Sequence, residues 1–109
     1  MRIYTDGSGD GRFGYLTDEG ASDISQVVGL TNNEAEYEAV ILALTQFPYE
    51  DIEIASDSQL VVNQVSHKWA IKEDRLRVLA QLVWDLVGNR KVVFTWVPRE
   101  QNLAGKMLG

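Results

Sequence analysis

Three acids in this chain stand at places that a folded sheet would bring together. Asp6 closes the strand-like run "IYT" and is followed by Gly7, Gly9 and Gly11. Glu36 lies in the first turn of a helical pattern, and Asp57 follows the apolar stretch "IEIAS". Taken singly, each has an ordinary explanation: a turn residue, a first-turn acid favoured by the helix dipole, and an N-cap. Together they read differently, because two of them end neighbouring parallel strands and the third opens the helix packed beside those strands. Three carboxylates converging there would repel one another unless a hard divalent cation held them. Glu34 and Glu38 fall about 200° around the helix from Glu36, on the outer face, and are expected to be solvated.

The elements that must position these acids follow from the hydrophobic period. Residues 2–6 read as a strand, with Gly9 to Gly11 as a hairpin turn, and residues 12–19 and 24–30 as two more strands joined around Gly20. From Asn33 the period becomes helical through Tyr37, Val40, Ile41 and Leu44, ending before Pro48. "DIEIAS" is a short strand, and "DSQLVVNQV" a short helix capped by Asp57 or Ser58. Residues 74–87 form a long helix stopped at Gly88, "KVVFTWV" a last strand, and the segment after Pro98 one short helix. Trp84 and Trp96 sit in apolar patterns and are expected in the core. The long connections imply parallel pairing among the first, fourth and fifth strands. Ligands gather beyond the carboxyl ends of such strands, where Asp6 and Asp57 both fall. "GDGRFG" matches a dinucleotide fingerprint, but a strand follows it where the fingerprint needs a helix, so the glycines read as a tight hairpin.

At 109 residues the chain suits a single domain. Having no cysteine, it can hold neither a disulfide nor a thiolate metal site. "MRIYTDG" lacks the apolar core of a signal peptide, and "AVILAL" is too short to cross a bilayer, so a cytoplasmic protein without membrane contact is expected. The net charge of −6 argues against a generic nucleic-acid coat protein. It is unevenly spread, however. Residues 1–66 hold twelve acids and two bases, whereas residues 67–109 hold eight bases and four acids. An acidic half suited to cations and a basic half suited to phosphates is the pattern this makes.

Four motifs, in order along the whole chain, resemble type 1 ribonuclease H in its compact, archaeal-like form. "IYTDGSG" is similar to the family's first catalytic strand, "LTNNEAEYEAVILAL" to its T-N-N-x-x-E helix start, "IASDSQLVVNQV" to its S-D-S-Q motif, and "WVPREQN" to the approach to its last helix. The resemblance implies an α/β fold with a five-stranded mixed sheet (βββαβααβα, strand order 3-2-1-4-5) flanked by helices. It implies Asp6, Glu36 and Asp57 as metal-binding catalytic carboxylates, and Thr31, Asn32 and Asn33 as contacts to a nucleic-acid backbone. The turn carrying Gly7, Ser8, Gly9 and Gly11 is implied to approach RNA 2′-hydroxyls, which glycine permits by letting backbone come close. The activity implied is hydrolysis of the RNA strand of an RNA/DNA hybrid by a monomer using two Mg2+ ions, with Mn2+ as substitute, leaving 5′-phosphate and 3′-hydroxyl ends. The alternative is a hybrid-binding module of the same fold that has lost turnover.

Three departures from the family pattern stand out. Larger members carry a basic protrusion where this chain has only "SHKWAIKED"; Lys68, Trp69 and Lys72 are candidate contacts to the DNA strand by charge and stacking, with Arg99 a further phosphate contact. A structural Trp among solvated lysines accounts for that stretch equally well. The only histidine, His67, lies at this connection and not before the last helix, and is expected to be a surface residue. Finally, the fourth acid is missing from "REQNLAGKMLG". Ungapped counting puts Lys106 in its place, and a cation there is implausible. A shortened loop leaves Asn102 nearest, so Asn102 is the expected fourth catalytic member and Glu100 the reserve.

Overall fold

The central strand is the one that carries Asp6 just before its last residue. In the computed structural model, which describes residues 1–48 and 51–109, five strands form one sheet in the order β3-β2-β1-β4-β5. β1 (Arg2–Gly7), β2 (Arg12–Thr17) and β3 (Ser22–Gln26) make an antiparallel meander that sets Asp6 beside Gly14 and Gly14 beside Ile24. β4 (Ile52–Ser56) and β5 (Val92–Trp96) add in parallel, with Thr5 beside Ser56 and Ser56 beside Trp96. Helical crossovers impose the parallel pairing: α1 (Asn32–Gln46) returns the chain to β4, and α2 (Gln59–Val65) with α3 (Asp74–Val87) returns it to β5. A 3-10 turn (Arg99–Gln101) and α4 (Leu103–Leu108) follow. This is the strand order the family resemblance implies.

Strand alternation decides which helix covers which face. Ile3, Tyr15 and Ile54 point into a core shared with Tyr37, Val40 and Leu44 of α1 and Leu76, Leu79 and Val83 of α3. Tyr37 donates its hydroxyl hydrogen to Gln64 Oε1 at 2.7 Å, tying α1 to α2 inside that layer. Arg90 donates to the Leu44 and Leu86 carbonyls, both at 3.1 Å, and joins the C-terminal ends of α1 and α3. Asp6 and Gly14 point to the opposite face, where Gly105 and Met107 of α4 meet them. Among the described residues no helix is long and apolar enough to cross a membrane.

The structure corrects several expectations. β3 spans residues 22–26 and not 24–30, because Val28 stands 89% exposed and Gly29 turns the chain with φ +94°. All five β3 residues are exposed, so ladder hydrogen bonds with β2 hold this edge, not the apolar run that suggested it. Trp96 is an exposed residue at the end of the edge strand β5, not a core residue. Trp84 is half-buried, donates from Nε1 to the Val65 carbonyl at 3.0 Å, and stacks on His67. Ser58 caps α2, accepting from Val61 N–H at 3.2 Å, which leaves the Asp57 carboxylate free of capping. Glu34 is not simply solvated. Its carboxylate accepts from Thr31 N–H at 3.0 Å and from Arg75 at 3.1 Å, and Glu38 is half-buried, which raises its carboxyl pKa.

Candidate active site

Local chemistry explains how each acid reaches the same point. Thr31 starts α1 with a capping box, its Oγ1 accepting from Glu34 N–H at 3.1 Å while Glu34 returns the bond. Glu36 follows two residues later and turns inward toward the end of β1. Gly7 permits the close crossing: a Cβ there would lie 2.3 Å from the Ala35 carbonyl carbon. The Gly7 N–H then donates to Glu36 Oε1 at 2.8 Å and aims that carboxylate. Asp57 leaves the end of β4, and Trp96 Nε1 donates to its main-chain carbonyl at 3.1 Å. One ligand oxygen from each of Asp6, Glu36 and Asp57 lies within 4.8 Å of the other two.

That proximity has an electrostatic cost. Burial, then the Asp57 charge, pushes the Asp6 carboxyl up to about 6. Burial, then the charges of Asp6 and Asp57, pushes Glu36 up to about 9. Asp6 Oδ1 and Asp57 Oδ2 are buried with no hydrogen-bond partner. Orphaned carboxylate oxygens within this close trio of acids make a hard, anionic donor set, which fits a divalent cation such as Mg2+ or Mn2+. Arg99, largely exposed, brings Nε to 3.8 Å from Asp57 Oδ2 and partly offsets the cluster's charge.

The cluster opens into a cavity of about 560 Å³ whose wall includes Asp6, Ser8, Gly9, Asn32, Arg99 and Lys106. The proposed substrate contacts divide accordingly. Gly9 is exposed with open space where a Cβ would stand, so its backbone is accessible, and Ser8 and Asn32 share the wall. Gly7 lies on the cavity wall and also serves the packing of α1. Gly11 is buried, with φ +87° and a virtual Cβ 2.1 Å from the Val27 carbonyl oxygen, so it serves the hairpin and does not face a ligand. Thr31 is the exposed helix cap, and Asn33 is half-buried behind it. Trp69 and Lys72 line a separate depression with Leu60 and Leu76, and Lys68 is exposed just after α2. These three are therefore not gathered with the carboxylates. His67 ends α2 in the left-handed region (φ 63°) and stacks on Trp84 with ring centroids 4.6 Å apart, a structural place.

The largest departure from expectation is at α4. Asn102 is fully buried; its Nδ2 donates to the Thr5 carbonyl at 2.9 Å, and its Oδ1 accepts from Ala104 N–H at 3.1 Å. Both ends of the amide are thus engaged with backbone groups, and Asn102 serves as the helix cap that holds α4 to β1. Glu100 is exposed on the outer cavity wall. The α4 residue that faces the cluster is Gly105, whose virtual Cβ would lie 3.4 Å from Asp6 Oδ2. A glycine inside an otherwise helical stretch was the one available signal, since it marks close backbone approach. Trp96, which braces Asp57, was missed because its indole N–H acts across strands.

The RNase H family profile matches residues 1–105. The chain belongs to the ribonuclease H family. Among solved structures it is similar to RNase H1 from the halophilic archaeon Halobacterium salinarum NRC-1, at 30% identity and TM-score 0.86, covering 98% of this chain and 92% of that one. It is similar also to LC11-RNase H1 in complex with an RNA/DNA hybrid, at 26% identity and TM-score 0.84, over 99% of both chains. The N-terminal RNase H domain of rv2228c from Mycobacterium tuberculosis matches at 29% identity and TM-score 0.83, over 99% of this chain and 88% of that one. In this ribonuclease H the carboxylate cluster comes from β1, α1 and the end of β4, while α4 contributes bare backbone at Gly105.

Proposed function

We propose that this ribonuclease H is a divalent-metal-dependent endonuclease that cuts the RNA strand of RNA/DNA hybrids, leaving 5′-phosphate and 3′-hydroxyl ends. The observation that carries this reading is the trio Asp6, Glu36 and Asp57, with two buried carboxylate oxygens lacking any hydrogen-bond partner. Asp6, Glu36 and Asp57 would hold two Mg2+ ions, or Mn2+ in their place. Bound there, the ions would supply Lewis acidity that lowers the pKa of an attacking water and offsets charge on the departing 3′-oxygen.

The protein's own groups prepare that chemistry. The Gly7 N–H fixes the rotamer of Glu36, and the Trp96 indole holds the backbone from which Asp57 projects. Asn102 seats α4 on β1, so that Gly105 closes the cluster without filling it. Ser8, the Gly9 backbone and Asn32 offer donors and acceptors along the cavity, as recognition of 2′-hydroxyls and phosphates needs. Arg99 adds a cation on the same wall. Lys68, Trp69 and Lys72 form a second, outlying contact to the DNA strand, and the protein acts as a monomer in the cytoplasm.

A second reading, a hybrid-binding module with impaired turnover, is favoured by one observation: α4 brings glycine, not a carboxylate, against Asp6. A single assay separates the two. The protein is mixed with labelled RNA/DNA hybrid or with double-stranded RNA, in Mg2+ and in Mn2+. Cleavage confined to the hybrid is the expected result, whereas hybrid binding without cleavage in either metal supports the module.

A further inference from the structure

Three cations line the cavity beside the carboxylates: Arg12, Arg99 and Lys106. Two of them are already committed. Arg12 donates from Nε to Asp10 Oδ2 at 2.9 Å and from Nη1 to the Leu108 carbonyl at 2.7 Å. Arg99 is drawn to Asp57. Lys106 is exposed and, among the described residues, has neither a hydrogen bond nor an ion pair. It follows Gly105 directly on α4, and Gly105 leaves Asp6 Oδ2 uncovered.

An anionic substrate approaching three carboxylates on a protein of net charge −6 is repelled, and a cation on the same wall that is not tied to a protein acid is free to meet the substrate's charge. We infer that Lys106 is a phosphate-binding residue of this site, its ammonium taking a non-bridging oxygen of the phosphodiester laid across the space beside Gly105. The inference rests on the nucleic-acid reading above and adds a contact to it. The plainer role for Lys106 is to complement the C-terminal end of the α4 dipole, which needs no substrate at all.

The test separates these roles by salt dependence. Hybrid binding is followed by fluorescence anisotropy in Mg2+ over a NaCl series, in an Asp6→Asn background that leaves the substrate intact. Each phosphate contact contributes about 0.9 to the slope of log affinity against log salt, so Lys106→Met should flatten the slope by about one. Between 50 and 200 mM salt the variant then loses about 3.5-fold less affinity than its parent. Lys106→Arg should restore the parental slope. Lys91→Met removes the same charge at the other end of the sheet, beside Ile52 and Val93, and should leave the slope unchanged. Equal effects of Lys91→Met and Lys106→Met, or an unchanged slope in Lys106→Met, overturn the inference while leaving the hybrid reading intact. Failure of the background protein to bind hybrid at all overturns both.

Discussion

At the scale of single residues, the site is a balance between burial and repulsion. Asp6→Asn keeps the side chain's shape but removes a charge that the Asp57 charge opposes and that itself pushes Glu36 up. Cleavage should fall below detection while the melting temperature holds or rises, and a single activity assay with a thermal melt checks this. The raised carboxyls also set a pH dependence. Asp6, moved from 3.8 to about 6, and Glu36, moved from 4.5 to about 9, bind more protons folded than unfolded. Their contribution is therefore complete in acid and lost as pH rises through those values, so the metal-free protein should melt at progressively lower temperature between pH 5 and 9. Added Mg2+ should restore more stability at pH 9 than at pH 5, and melts with and without chelator read both. The three carboxylates are legible in the sequence because each follows a strand or opens a helix, places where direction is constrained. The partner bonds are not legible: nothing in "DG" says that the Gly7 N–H will meet Glu36, 29 residues away.

At the scale of elements, α4 is the piece whose placement the sequence conceals. Strands and long helices announce themselves by period and crossover length, which is why the parallel pairing of β1, β4 and β5 is readable before any coordinates, while the full order 3-2-1-4-5 is what the family resemblance implies. A six-residue helix carries too few apolar positions to fix its own rotation, so counting along "REQNLAGKMLG" points to Lys106, and a shortened loop to Asn102, where the packing presents Gly105. Edge strands mislead for a related reason, since β3 and Trp96 of β5 pair without being buried. Asn102→Ala removes an N-cap and the donor to a buried carbonyl, and should cost about 2 kcal/mol in denaturant unfolding. Activity should fall with it through displacement of α4. Gly105→Asp is the complementary change. Position 105 has no positive φ and its Cβ meets Asp6 at ordinary contact distance, so a fourth carboxylate fits there. Calorimetry should show tighter Mn2+ binding, by about tenfold or more, together with lower stability of the metal-free protein.

At the scale of the whole molecule, residues from the acidic and the basic part of the sequence share one cavity, whose wall carries Asp6 together with Arg99 and Lys106. That cavity exists only because the two ends of the chain meet. The Asn102–Thr5 bond spans 97 positions and the Arg12–Leu108 bond 96, and these two links fasten α4 at its start and its finish. A helix of six residues has little stability of its own, so α4 depends on these links and on its packing against the sheet. α4 therefore has less to lose by opening than the long helices α1 and α3. In native-state amide exchange, α4 should open with a smaller free energy than α1 or α3, as a unit separate from global unfolding. Arg12→Met should accelerate exchange in α4 alone, while the amides of the main core keep their protection. Uniform acceleration across all helices would mean that the two ends of the chain come apart only when everything else does.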